Sequence, residues 1–267
     1  MRRKISVLTI VVIVAAIAVL PAAAITWGEL DSDHLYAGAM VVDWPDYGPW
    51  QFCSGTLIHP RVFLTAGHCT DAVDEYEIET VWVNFMDYAA NPDGLRLVDQ
   101  VITHPDYAWG GSDPHDIGLL VLTEPVTDIA PAQLPYVGYL NELRKAGELR
   151  SASEGAKFTM VGYGGTLNWP PPDIYYEDYR QVSTSEYIAL TKPFLHLSQN
   201  INKGDGGTCF GDSGGPAFYT TKDGTEIVVA VVSWGDAQCV STGFNYRVDI
   251  ADSMNFINGV INELDTP

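Results

Sequence analysis

Positive charge is scarce in this chain: 14 Lys and Arg side chains stand against 34 Asp and Glu, a formal charge of −20 at pH 7. Nucleic acid and anionic membranes are held by a basic footprint, so the balance argues against both as partners. Cysteine is limited to Cys53, Cys69, Cys209 and Cys239, with no close Cys-x-x-Cys pair. That spacing argues against a zinc site, and no cofactor or metal is expected. Long apolar runs are also missing, with one exception over residues 5–20. This run is shorter than the roughly 20 residues a membrane span needs. It follows Arg2-Arg3-Lys4 and precedes Pro21-Ala22-Ala23-Ala24, the arrangement of a secretory leader cut near Ala24. The remaining chain is expected to be exported and soluble, without stable membrane association. An exported chain can keep its cysteines as disulfides, and four cysteines allow three pairings.

What is present is a hydrophobic fraction of 46%, enough for a sizeable core. It is distributed as short β-rich runs separated by Gly, Pro, Asp and Asn. Strands are predicted over residues 39–42, 56–58, 62–65, 81–85, 95–102, 117–122, 157–162, 180–183, 227–234 and 244–248. Many short strands at regular spacing predict an all-β sandwich or barrel. Residues 123–155 read as a linker with a short helix over 141–145. At the end the period changes: Met254, Ile257, Ile261 and Leu264 recur at helical spacing, with Asp252 and Ser253 as candidate N-caps. No internal repeat is found. The loop over 167–179 carries three prolines and several aromatics, which suit either a groove wall or a stiff surface loop.

Three fragments carry chemistry. Cys209-Phe210-Gly211-Asp212-Ser213-Gly214-Gly215-Pro216 crowds glycines around one hydroxyl. Such a turn raises a nucleophile beside free backbone N–H groups that can meet developing negative charge. Thr65-Ala66-Gly67-His68-Cys69 follows an apolar strand and offers His68 as a general base. His115-Asp116-Ile117 places an acid at the start of an apolar strand, where burial demands a partner. An imidazole N–H satisfies that demand and fixes the histidine tautomer. Asp113 and His115 remain alternative functional members of the third fragment.

Together, in the order His, Asp, Ser, these fragments resemble the trypsin/chymotrypsin family of serine endopeptidases. Val161-Gly162-Tyr163-Gly164, Val232-Ser233-Trp234-Gly235 and the terminal helix extend the resemblance over nearly the whole chain after the leader. It implies two packed antiparallel β-barrels with a C-terminal helix and the site between them. Residues 25–125 are then the first barrel, 126–155 the inter-barrel linker, 156–250 the second barrel, and 251–267 the helix and tail. It further implies His68, Asp116 and Ser213 as the catalytic residues, with the N–H groups of Gly211 and Ser213 as the oxyanion hole. Disulfides Cys53–Cys69 and Cys209–Cys239 follow from it too, as do protein or peptide substrates and a monomeric state.

The resemblance assigns the primary pocket to Gly207, Thr208, Ser233, Trp234, Gly235 and Gly243. Trypsin-like relatives carry an aspartate where Gly207 stands, so the pocket is expected to be uncharged and to favour apolar side chains. Asp205 is an alternative acidic floor. The family's activating ion pair assigns Asp212 as partner of an α-amine, and Ile25, first residue after the leader, is the expected donor. Competing readings are an esterase with the same triad and an inactive binding module. A metal-dependent hydrolase lacks ligand spacing. The acidic run Asp71, Asp74, Glu75, Glu77 and Glu79 reads as a solvated surface.

Overall fold

Strands with one buried face must close or be covered, because an open edge leaves backbone donors and acceptors unpaired. In this protein they close twice. The structure is a computed structural model and describes residues 25–44, 47–150, 156–168 and 173–266. The leader expected over residues 1–24 lies outside the described residues.

The first barrel is built from β2 (Ala37–Trp44), β3 (Gly48–His59), β4 (Val62–Thr65), β5 (Val81–Asn84), β6 (Leu95–Thr103) and β7 (Gly118–Leu122). They close in the order β2-β3-β4-β7-β6-β5. The second barrel uses β8 (Lys157–Gly162), β11 (Gln181–Leu190), β12 (Phe194–Ser198), β13 (Pro216–Thr220), β14 (Glu226–Gly235) and β15 (Thr242–Arg247). Its order is β11-β12-β15-β14-β13-β8, closed by pairing of β8 with β11. A short strand β1 (Glu29–Leu30) adds to β11, and β9 (Thr166–Asn168) with β10 (Asp173–Tyr175) forms a hairpin. Three helices complete the described chain: α1 (Gly67–Glu75), α2 (Tyr139–Lys145) and α3 (Ala251–Asp265). None is long and apolar enough to cross a membrane.

Met40, Leu57, Phe63, Val83 and Leu120 fill the first barrel, and Phe158, Met160, Leu195, Leu197 and Val229 fill the second. A third cluster joins them: Leu64 and Leu119 meet Val161, Phe218, Val231 and Tyr246, with Met254 and Ile257 of α3 packed on top. Each such buried side chain contributes roughly 1.5–3 kcal/mol, which holds one barrel against the other. A polar seam runs beside this core. Arg180 donates to Asp31 Oδ2 (2.9 Å) and to the Phe85 carbonyl (2.8 Å), and Tyr163 Oη donates to the Met86 carbonyl (2.7 Å). His34 contacts Asp31 (2.7 Å) and Glu226 (3.1 Å), tying the segment after β1 to β14.

The two barrels and the terminal helix are as expected, and several local features differ. Helix α3 starts from Ile250 with no side-chain cap; Ser253 Oγ instead donates to the Arg247 carbonyl, and Asp252 lies in the first turn. Strands β1, β9, β10, β12 and β13 and helix α1 have no counterpart among the expected elements. The first described residues dock on the second barrel, where Thr26 exchanges both backbone bonds with Gly207 (3.0 and 2.9 Å).

Candidate active site

Strand register brings the histidine and the aspartate together. Thr65, the last residue of β4, pairs with Gly118, the first of β7. His68, in the first turn of α1, therefore sits beside Asp116 just before β7. His68 Nδ1 lies 3.0 and 3.1 Å from the two Asp116 oxygens, and the His68 backbone N–H donates to Oδ1 at 2.8 Å. Ser233 Oγ donates to Asp116 Oδ2. Burial raises the Asp116 pKa, but the His68 charge and these hydrogen bonds outweigh it and hold the group below the usual carboxylate value. The neighbouring candidates are engaged elsewhere: Asp113 with Lys192 and the Tyr246 hydroxyl, His115 with Asp252. Asp116 alone of the three faces His68.

Ser213 arrives from the second barrel on the loop before β13. Gly214 beside it has φ +78°, and an added Cβ there would stand 2.1 Å from Thr65 Oγ1 and 2.6 Å from the Ala66 nitrogen. Only glycine lets this loop reach the end of β4. The Ser213 carbonyl accepts from the Ser54 backbone N–H of β3 (2.8 Å), a further bond across the cleft. Gly211, at φ +95°, has its carbonyl held by two side chains of β3: Gln51 Nε2 and Ser54 Oγ each donate to it at 2.9 Å. The Gly211 N–H belongs to the preceding peptide, whose Phe210 carbonyl accepts from the Gly165 N–H (2.8 Å). Among the described residues the N–H groups of Gly211 and Ser213 have no acceptor. Disulfide Cys53–Cys69 ties β3 to α1 and Cys209–Cys239 ties the serine loop to the chain after β14, both as expected.

His68 and Ser213 open on one cavity of about 270 Å³, lined also by Trp109, Thr208, Phe210, Ser233, Trp234, Gly235 and Asp236. Trp109 stands edge-on to His68, ring centroids 5.6 Å apart. Gly207 and Gly243, expected on the pocket wall, are not part of this lining. The reason is Gln199, buried just after β12, whose Cβ and Cγ pack on Gly207 and whose amide faces Gly243 and Gly235. Asp205 is fully buried and does not reach the cavity. Asp236 does, with both oxygens occupied by the N–H groups of Val240, Ser241 and Thr242. No described residue of the 167–179 loop lines the cavity. Asp71, Asp74, Glu75, Glu77 and Glu79 are all exposed.

Ile25 and Asp212 are not brought together. Ile25 is fully buried, but its nitrogen, a peptide N–H in the intact chain, donates to Gln181 Oε1 (2.9 Å). The Asp212 carboxylate accepts from the N–H groups of Cys209 and Gly164, each at 2.8 Å. Burial pushes its pKa up to about 7 against these two bonds, since no cation faces it. Gly162 and Gly164 make the room: a Cβ on either would strike Asp212.

Trp109, Gln199, Gln51, Ser54 and Phe210 were not among the expected site residues. Only Phe210 had a local signal, its place within the serine octapeptide.

Two antiparallel barrels with a His–Asp pair on one and a glycine-bounded serine on the other define a class, and comparison with known sequences agrees. The model of the family described as Trypsin matches residues 40–257. A lectizyme of Glossina austeni is 32% identical over 207 residues, 73% of this chain and 72% of its own. A tryptase of Mus musculus is 30% identical over 69% of each chain. A trypsin of Saccharopolyspora erythraea is 29% identical over 79% of this chain and 85% of its own. The chain belongs to the trypsin family of serine proteases.

Proposed function

We propose that this protein is a secreted, monomeric serine endopeptidase released from its leader near Ala24. Ser213 Oγ bonds to the scissile carbonyl carbon while His68 Nε2 takes the hydroxyl proton. Asp116 orients His68 through Nδ1 and stabilises the imidazolium. The N–H groups of Gly211 and Ser213 receive the oxyanion. The carbon–nitrogen bond then breaks, His68 returns its proton to the leaving amine, and water resolves the acyl-enzyme by the same steps. Thr208, Ser233, Trp234 and Gly235 line a primary pocket that favours apolar side chains, its one carboxylate, Asp236, being bonded to backbone N–H groups.

The observation that carries this reading is the shared cavity: His68, oriented by a buried Asp116, and Ser213 line one cleft. A free Ile25 α-amine would be a buried cation, and Asp212 is a buried acid with no cation against it among the described residues. Cleavage after Ala24 therefore favours an Ile25–Asp212 ion pair that the intact chain cannot make.

The test is labelling of the secreted protein by a small organophosphonate together with peptide hydrolysis. Both are expected, and both disappear in Ser213→Ala. Ester hydrolysis without peptide hydrolysis would make it an esterase, and no labelling would make it a binding module. N-terminal sequencing of the active form reads Ile25 if the amine is released as proposed.

A further inference from the structure

Three glycines that would leave a deep pocket open are packed against one side chain. Gln199 Cβ and Cγ lie 2.9 and 3.1 Å from where a Gly207 Cβ would stand. Its Nε2 lies 3.1 Å from the equivalent point on Gly243, and its Oε1 3.7 Å from that on Gly235. The register of the second barrel fixes this placement. Ser198 pairs with Thr242, and the Gln199 N–H donates to the Ser241 carbonyl (3.0 Å), so Gln199 enters opposite the glycines of β14 and β15. Its Nε2 donates to the Thr208 carbonyl (2.9 Å) and Oγ1 (3.0 Å), which pins the amide across the space. Gln199 is 2% exposed.

Resting on the endopeptidase reading above, we propose that Gln199 is the specificity-determining residue of the primary pocket, closing its deep end and restricting the residue before the scissile bond to short uncharged side chains. Ala, Ser, Val and Thr fit above Thr208 between Phe210 and Trp234. Phe and Tyr meet the Gln199 amide before their rings are seated. Lys and Arg would have to compete with the three backbone N–H groups already bonded to the Asp236 oxygens, and Asp205 is sealed off. The Gln199 Oε1 is itself a buried acceptor without a partner among the described residues. The amide thus gains nothing from an apolar ring pressed against it, and an unmet polar atom opposes such burial.

The experiment compares kcat/KM for four peptide substrates that differ only at the residue before the scissile bond: Ala, Val, Phe and Arg. Enzyme is counted by organophosphonate titration. For the native enzyme, Ala and Val are expected to exceed Phe and Arg by about tenfold or more, the discrimination a closed apolar pocket supplies. In Gln199→Ala the Phe-to-Ala ratio rises at least about tenfold. In Gln199→Met, which keeps the volume and drops the hydrogen bonds, the native order stays. A native enzyme that cleaves Phe or Arg best overturns the inference, whether or not either variant folds. So does a Gln199→Ala enzyme with the native ratio. In both cases titratable Ser213 leaves the endopeptidase reading standing, whereas a native protein with no titratable serine sinks both.

Discussion

The Gly211 carbonyl is held by two donors that belong to the other barrel, and removing them tests what that grip does. Gln51→Ala deletes one 2.9 Å bond to the carbonyl and Ser54→Ala the other. A neutral hydrogen bond contributes about 1 kcal/mol net, so each single change is expected to lower kcat roughly fivefold. With either donor present the Gly211–Asp212 peptide keeps one of its two anchors. With neither, the Gly211–Asp212 peptide loses both anchors to β3 and Gly211 can rotate, carrying its own N–H on the Phe210 side out of the cleft; loss of one oxyanion donor costs about 2.7–4 kcal/mol. The double variant should then fall by about a hundredfold, more than the product of the singles. Ser54 has a second task, accepting from the buried Tyr163 N–H (3.0 Å), so Ser54→Ala should also lose about 1–3 kcal/mol of stability. Gln51→Ala is the cleaner probe. The assay is kcat and KM on one peptide substrate for the four proteins, normalised by active-site titration, with urea unfolding alongside. The loss belongs in kcat, because the oxyanion forms only after binding. A double variant within twofold of native kcat, or a loss confined to KM, would refute the reasoning.

Gly214→Ala forces a Cβ into Thr65 Oγ1 at a positive φ. Strain and overpacking of roughly 3 kcal/mol should lower Tm by about 10 °C, and calorimetry showing a native Tm would contradict the inter-barrel contact. Burial alone would depress the His34 pKa, yet Asp31 and Glu226 raise it from 6.5 to about 9. Its contribution of roughly 3 kcal/mol is therefore full below pH 6.5 and lost as pH rises through 9. Urea unfolding of Ser213→Ala at pH 6 and pH 10 should show that loss, and the same measurement with His34→Gln added should not; equal slopes would dismiss the cluster. Gly207→Asp alone is expected not to create Arg cleavage, because its Cβ would stand 2.9 Å from the Cys239 carbonyl and from Gln199 Cβ. Kinetics on an Arg substrate check this, and an efficient single variant would mean Gln199 moves aside.

The barrels were legible because short β-rich runs stand between turn residues, and 62–65 and 157–162 match β4 and β8 residue for residue. Strand β13 was hidden by its Pro216 start, and α1 by Gly67 and Thr70 where a helix signal would begin. His68, Asp116 and Ser213 were legible because each carries a local pattern demanding a partner. Gln199, Gln51 and Ser54 carry none. A glutamine before Asn200 and a serine after Cys53 look like any polar residues until strand register sets one against Gly243 and the other against Gly211. The Ile25–Asp212 pair was expected of a freed α-amine; what the sequence did not show is that two backbone N–H groups, of Cys209 and Gly164, already reach the carboxylate in the intact chain.

The carbonyl grip also sets a clock. His68, Asp116, Gln51 and Ser54 leave the ribosome well before Ser213, and the strands that frame Ser213 are not complete until β15 is made. A growing or truncated chain holds the donors with nothing to grip. A finished molecule whose barrels drift apart releases the Gly211 carbonyl while each half is still folded. The site thus waits on the last strand of the second barrel to be made and depends on the contact between the barrels to stay assembled.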